Sequence, residues 1–229
     1  MIPLKDVNPR EKIPFFTFVL IILNVLAFLF ELSMGRHLNV FLGEFGVVPI
    51  RFVNNFLSFP FEISNYFPLI SSMFLHGGFL HLAGNMLSLW IFGDNVEDKL
   101  GHFYYIIFYF LSGFGASISH IIFNISSQVP TIGASGAISG VMGAYFYFFP
   151  RAKVLTLIPI FFFFELIEIP AFIFLGLWFA IQIFSGALSF GISSASGIAW
   201  WAHIGGFIFG YLFARVFFSK RKRRVIYYL

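Results

Sequence analysis

Long apolar runs, interrupted by short polar or glycine-rich stretches, dominate this chain from residue 13 onward. A helix that crosses a bilayer needs about 20 apolar residues, with a range of roughly 17–25. By that measure the pattern predicts six spans, at 13–32, 74–93, 103–123, 134–150, 169–187 and 199–218. The first run is long and lacks a clear small-x-small cleavage site, so it reads as a span and not as a cleaved signal peptide. Spans one and two are separated by a 41-residue connection (33–73) that mixes polar and aromatic residues with Pro49, Pro60 and Pro68. A structureless loop of that length is uncommon, so this one is expected to be partly ordered and to lie in the outer interface. The stretch VLTLIPIFFFFELIE (154–168) is apolar but broken by Pro159, Glu165 and Glu168, and reads as interfacial. Pro170 then opens the fifth span at a first-turn position, where proline is tolerated.

The expected fold is therefore all-α: a polytopic membrane protein, a six-transmembrane-helix bundle with a long first loop lying in the outer interface. No internal repeat or low-complexity linker divides it. Residues 1–12 form a short cytoplasmic N-terminal segment, 13–218 a single membrane domain, and 219–229 a basic cytoplasmic tail.

Composition strengthens this reading. Of 229 residues 59% are hydrophobic, 10% are charged and 37 are phenylalanine, more apolar surface than a soluble domain of this size can bury. Cysteine is absent, which excludes disulfide and thiolate chemistry. The net charge of +4 matters less than its placement. With the N-terminus inside, Lys5, Arg10, Lys12, Lys99, Arg151, Lys153 and the six residues from Arg215 to Arg224 fall on the inner side. Only Arg36 and Arg51 fall outside, so twelve of fourteen positive residues are inside and both termini are expected in the cytoplasm. The run KRKRR (220–224) reads as a cytoplasmic flank of the last span, not as a nucleic-acid site.

This topology brings polar residues together. Spans two, four and six all run from outside to inside, so residues near their starts share the outer leaflet. Span two carries His81 and Asn85, span four begins near Ser135, and span six carries His203 close to its start. Such side chains are costly in a bilayer unless they meet each other or water. Span four, about 17 residues or ~25 Å, is the shortest, which would set Ser135 below the outer surface, on the floor of a water-accessible cavity.

Alone, Ser135 would read as a helix N-cap and His203 as a satisfied core histidine. Together they suit a hydroxyl nucleophile and its base, since a serine needs a base and histidine is the commonest. Gly136 and Gly140 on span four, and Gly206 and Gly210 on span six, repeat at the GxxxG spacing that lets two helix backbones approach closely. His81 and Asn85 lie at i and i+4 on one helical face, as two donors able to meet a developing oxyanion, or else as interhelical polar glue. The helix start at Ser135 adds backbone N–H groups. His76 reads as a structural hydrogen-bonding residue. Other chemistries fit less well: GASGA does not match the GxSxG elbow, no acid near these helix ends completes a triad, and HExxH is absent. The acids of GDNVEDKLG (93–101) fall at the inner end of span two and read as structural.

The segments HGGFLHLAGNM (76–86), GDNVED (93–98), GASGAISG (133–140) and AHIGGFIFG (202–210) resemble those of the rhomboid intramembrane serine proteases, in the six-helix form typical of bacteria. The resemblance covers nearly the whole chain. It implies an intramembrane serine endopeptidase in the cytoplasmic (inner) membrane, free of metal and organic cofactor. Its substrates would be single-pass transmembrane proteins, cut near their outer ends where small or helix-breaking residues let the helix unwind. It implies Ser135 as nucleophile and His203 as general base and then acid. His81, Asn85 and the Ser135 backbone N–H would hold the oxyanion, Gly133 would permit close substrate approach, and His76 and Glu97 would be structural. The segment SFGISSASGIA (189–199) would match the mobile cap over the site. Two departures stand out. The family's Trp-Arg pair in the first loop is missing, with Arg51 following VVPI instead, and an aromatic residue that stacks on the catalytic histidine in some members is Ser139 here. The alternatives are a catalytically silent relative that binds and escorts membrane proteins, and a small transporter or channel. The latter is disfavoured by the absence of charge in the cavity and of repeat symmetry.

Overall fold

The apolar runs fold into helices whose order along the chain is up and down. The computed structural model describes residues 1–160, 163–189 and 198–218. Among these, the long helices are α1 (Phe15–Ser33), α5 (Phe79–Leu100), α6 (His102–Phe123), α7 (Ser135–Phe148), α8 (Ala171–Leu188) and α9 (Trp200–Phe217). Three of them, α1, α6 and α8, are long and apolar enough to cross a membrane by length and composition. The other three carry the polar candidates: α5 holds His81 and Asn85, α7 is only 14 residues long, and α9 holds His203. Polar residues and glycines lower the hydropathy of α5 and α9, and α7 is too short to qualify by length.

Helix α7 is the centre of the bundle, with every residue from Gly136 to Tyr145 buried. It packs on α5, α6 and α9, while α1 and α8 present exposed apolar side chains such as Leu26, Leu29, Phe172 and Ile173 outward. The α7–α9 contact is the closest, because a Cβ at Gly206 or Gly210 would overlap the carbonyl oxygens of Gly136 and Gly140, respectively. The buried core continues through Phe92, Tyr105, Phe108, Tyr109 and Tyr145.

The long first connection is ordered. It contains two short 3-10 turns (Gly35–His37 and Ile63–Tyr66), α2 (Leu38–Phe45), α3 (Pro49–Ser58) and the one-turn α4 (Pro68–Ser71). Arg51 supplies the anchor for which the sequence suggested no equivalent: its guanidinium donates to the carbonyl oxygens of Gly43, Glu44 and Gly46 at 2.5, 3.1 and 3.3 Å. It thereby satisfies orphan carbonyls at the C-terminal end of α2. The loop then braces the segment before Ser135, since Val47 and Thr131 exchange backbone hydrogen bonds of 3.0 and 2.8 Å.

Two expectations need correction. Span two was expected from residue 74, but Phe74–Gly78 is 3-10 and extended chain, and α5 runs on to Leu100. Its polar last turns are held in place by contacts to the N-terminal region. The Glu97 carboxylate accepts from the backbone N–H groups of Phe16 and Thr17, both at 2.8 Å, and from the Thr17 hydroxyl at 2.7 Å. A side chain 80 residues away thus caps α1, which has no cap of its own.

The fold is also not all-α. β1 (Ile2–Asp6), β2 (Lys153–Ile160) and β3 (Phe163–Pro170) form an antiparallel sheet in the order β1-β2-β3. The stretch 154–168 is rich in aliphatic and aromatic residues that favour a pleated, half-buried surface. Pro159 lies beyond the last β1–β2 pair (Ile2↔Leu157), so its missing N–H costs no rung to β1. A Lys153–Glu168 ion pair of 2.7 Å closes the base of the hairpin. Residues 1–12 are therefore bound to the bundle. Asp6 accepts from the Asn95 amide at 2.8 Å and the Tyr145 hydroxyl at 2.7 Å, and the Glu11 N–H donates to Asp98 at 2.8 Å. The tail 219–229 and most of the 189–199 segment lie outside the described residues.

Candidate active site

At the end of the bundle opposite the sheet, the N-terminal ends of α5, α7 and α9 converge. Ser135 is the first residue of α7; Ala134 is the N-cap, and neither side chain caps the helix. The Ser135 hydroxyl instead faces His203 in the first turn of α9, with Oγ 2.8 Å from Nε2. Close approach of α7 and α9 at the glycines makes this possible, because backbones that touch leave two short side chains within reach. Gly133 turns the chain into α7 with φ of +123°, a conformation that favours glycine. Its N–H donates to the Ser72 carbonyl at 2.8 Å.

His203 is held from its far side. Nδ1 lies 2.8 Å from Oε1 of Gln182 on α8. Only Nδ1–H can donate to that oxygen, which leaves Nε2 as the acceptor for the Ser135 hydroxyl. The Trp178 ring lies 6.0 Å from the imidazole, tilted by 35°, and the Trp200 ring 6.4 Å away, edge-on. Ser139, where an aromatic stack was missing, turns away and donates its hydroxyl to the Ser135 carbonyl at 2.6 Å.

His81 and Asn85 reach the same region from α5. The ideal Cβ position on Gly133 is 2.8 Å from Nε2 of His81 and 3.5 Å from Oγ of Ser135, so ring, glycine and hydroxyl bound one small space. The Gly77 N–H lies 3.4 Å from His81 Nδ1 and donates to it, so the His81 proton sits on Nε2 and points toward that space. Asn85, which is buried, donates one amide hydrogen to His76 Nε2 at 2.9 Å and keeps a second. His76 in turn donates through Nδ1 to the Phe74 carbonyl at 3.2 Å. Its backbone N–H meets the Glu31 carboxylate at 3.0 and 3.2 Å.

The structure thus gathers Ser135, His203, His81, Asn85, His76, Gly133 and Gly136 at one end of the bundle, with Gly206 and Gly210 continuing the α7–α9 contact inward from it, and Glu97 at the other end. Sequence reasoning missed Glu31 and Gln182. Both are buried polar residues inside apolar helices, and that isolation was the available signal. A cavity of about 20 Å³, room for roughly one water, lies beside Ser135, lined by Ser72, Gly113, Ala116, Gly136 and Ala202 among others.

A helical membrane protein with a hydroxyl–imidazole pair at one end of its bundle is the class this geometry defines. The family model for the Rhomboid domain matches residues 64–220, and the chain belongs to the rhomboid family. Over 135 residues it is 33% identical to Rhomboid protease GluP of Bacillus subtilis, covering 58% of this chain and 24% of that protein. Rhomboid protein 1, mitochondrial, of Saccharomyces cerevisiae is 34% identical over 100 residues, covering 42% of this chain and 29% of that protein. RHOMBOID-like protein 1 of Arabidopsis thaliana is 33% identical over 161 residues, covering 66% and 34%. The matched stretches span 24–34% of those relatives' lengths.

Proposed function

We propose that this protein is an intramembrane serine endopeptidase working through Ser135 and His203. The observation that carries the proposal is the 2.8 Å contact between Ser135 Oγ and His203 Nε2. Ser135 Oγ attacks the scissile carbonyl carbon while its proton passes to Nε2. The oxyanion that forms is met by the Ser135 N–H, unengaged at the helix start, by His81 Nε2–H and by the second amide hydrogen of Asn85. The imidazolium then protonates the leaving amine as the C–N bond breaks. A water, deprotonated by the same imidazole, hydrolyses the acyl-enzyme and regenerates the serine.

Substrates are single-pass transmembrane proteins, which enter the site from the bilayer and present an unwound segment near their outer ends. The protease domain occupies 13–218, in an inner membrane with both termini in the cytoplasm, consistent with the positive residues gathered on the sheet side. A client-escorting relative without catalysis would leave the hydroxyl–imidazole contact without a role. The test is covalent: a fluorophosphonate probe is expected to label the purified protein, and Ser135→Ala is expected to abolish labelling. Equal labelling of Ser135→Ala would refute the assignment.

A further inference from the structure

The sequence offers His203 no acid, and the structure supplies something else. Gln182 sits two turns before the end of α8, in a helix otherwise composed almost wholly of apolar residues. It is 5% exposed, and its side-chain oxygen lies 2.8 Å from His203 Nδ1. A buried amide in such a helix is costly unless it is hydrogen-bonded, so Gln182 and His203 satisfy each other. Trp178, one turn earlier on the same face of α8, lies beside the same imidazole.

We infer that Gln182 is the positioning residue of a Ser135–His203–Gln182 arrangement, its amide oxygen fixing the rotamer and the Nδ1–H tautomer of His203 from α8. This rests on the proposed peptidase reading. The amide does chemically what an acid would do in holding the ring, and differs from it in adding no charge to the bundle. Histidine offers Nε2 to a serine only when its proton is kept on Nδ1, and Gln182 is the acceptor that keeps it there. The imidazolium formed during catalysis gains the amide dipole and not a carboxylate, so the expected contribution is that of one neutral hydrogen bond, about ten-fold in rate.

Gln182→Met keeps the side chain's length and removes the acceptor; Gln182→Glu keeps an acceptor oxygen. With a fluorogenic transmembrane substrate, Gln182→Met is expected to lower kcat about ten-fold at nearly unchanged KM, and Gln182→Glu to recover most of that loss. Nitrogen-15 NMR of histidine-labelled protein is expected to show His203 as the Nδ1–H tautomer in wild type and as a mixture or the Nε2–H form in Gln182→Met. The NMR arm needs no substrate. If wild type shows the Nδ1–H tautomer and loses it in Gln182→Met yet cleaves nothing, the positioning role stands and the peptidase reading falls. If wild type cleaves but His203 keeps the same tautomer and kcat in Gln182→Met, the positioning role is overturned and the peptidase reading survives.

Discussion

The carbonyl oxygen of Gly136 occupies the place where a Cβ of Gly206 would stand. The overlap is with backbone, which cannot swing aside as a flexible side chain could. Gly206→Ala must therefore push α9 away from α7, at a cost of about 1–3 kcal/mol for overpacking. Its thermal midpoint is expected to fall, and labelling of Ser135 to fall further, because the same movement separates Ser135 from His203. Gly84→Ala is the control: nothing lies within 4 Å of its Cβ position, so its thermal midpoint is expected to hold or rise.

Glu97 defines a different kind of dependence, one on stability alone. Its two carboxylate oxygens satisfy the first-turn N–H groups of Phe16 and Thr17, and His102 lies 2.6 Å from Oε1. Glu97→Gln keeps the size but retains only one acceptor oxygen, and is expected to destabilise the protein by about 1–3 kcal/mol. Since Glu97 lies at the sheet end, the activity per folded molecule is expected to match wild type. Thermal melting beside probe labelling separates the two effects.

Gly133→Ala is expected to do the opposite, harming chemistry more than stability. An alanine there would carry φ of +123° and press its methyl onto the His81 ring at 2.8 Å. Displacing that ring removes a donor to the oxyanion, a loss on the order of 100-fold in kcat. Steady-state kinetics beside a melting curve checks this.

Asp6 gives the fold a pH dependence. Burial pushes its carboxyl up from the ordinary 3.8 to about 6, with the charge of Asp94 adding to the rise and the Tyr145 hydrogen bond opposing it. A carboxyl raised on folding keeps its proton longer in the native state, so its contribution is present at acid pH and is lost as pH rises from about 4 through about 6. That rise corresponds to at most about 3 kcal/mol. Asp6→Asn, which keeps an acceptor for Tyr145, is expected to flatten the thermal midpoint across that window, and its gain over wild type to be larger at pH 7 than at pH 4.

The helices were legible because their apolar runs are long, and the candidate site because its residues lie at helix starts with recurring spacing. The GxxxG spacing of the glycines on α7 and α9 is the sequence mark of their close contact. The sheet was not legible. The run 154–168 is as apolar as an interfacial segment, and its partner IPLKD lies some 150 residues earlier, with no alternation of its own. Glu31 and Gln182 were hidden for a related reason: single polar residues in apolar helices fit no motif, and their partners His76 and His203 are set by packing between helices. Arg51 was visible as a cation, but carbonyl acceptors leave no mark in a sequence.

The central claim is that Ser135 and His203 cut peptide bonds within the bilayer, and cleavage of a fluorogenic transmembrane substrate by purified protein in detergent tests it most directly. Wild type is expected to cleave, Ser135→Ala not at all, and His203→Ala to lose nearly all activity. Cleavage by Ser135→Ala at the wild-type rate would contradict the account.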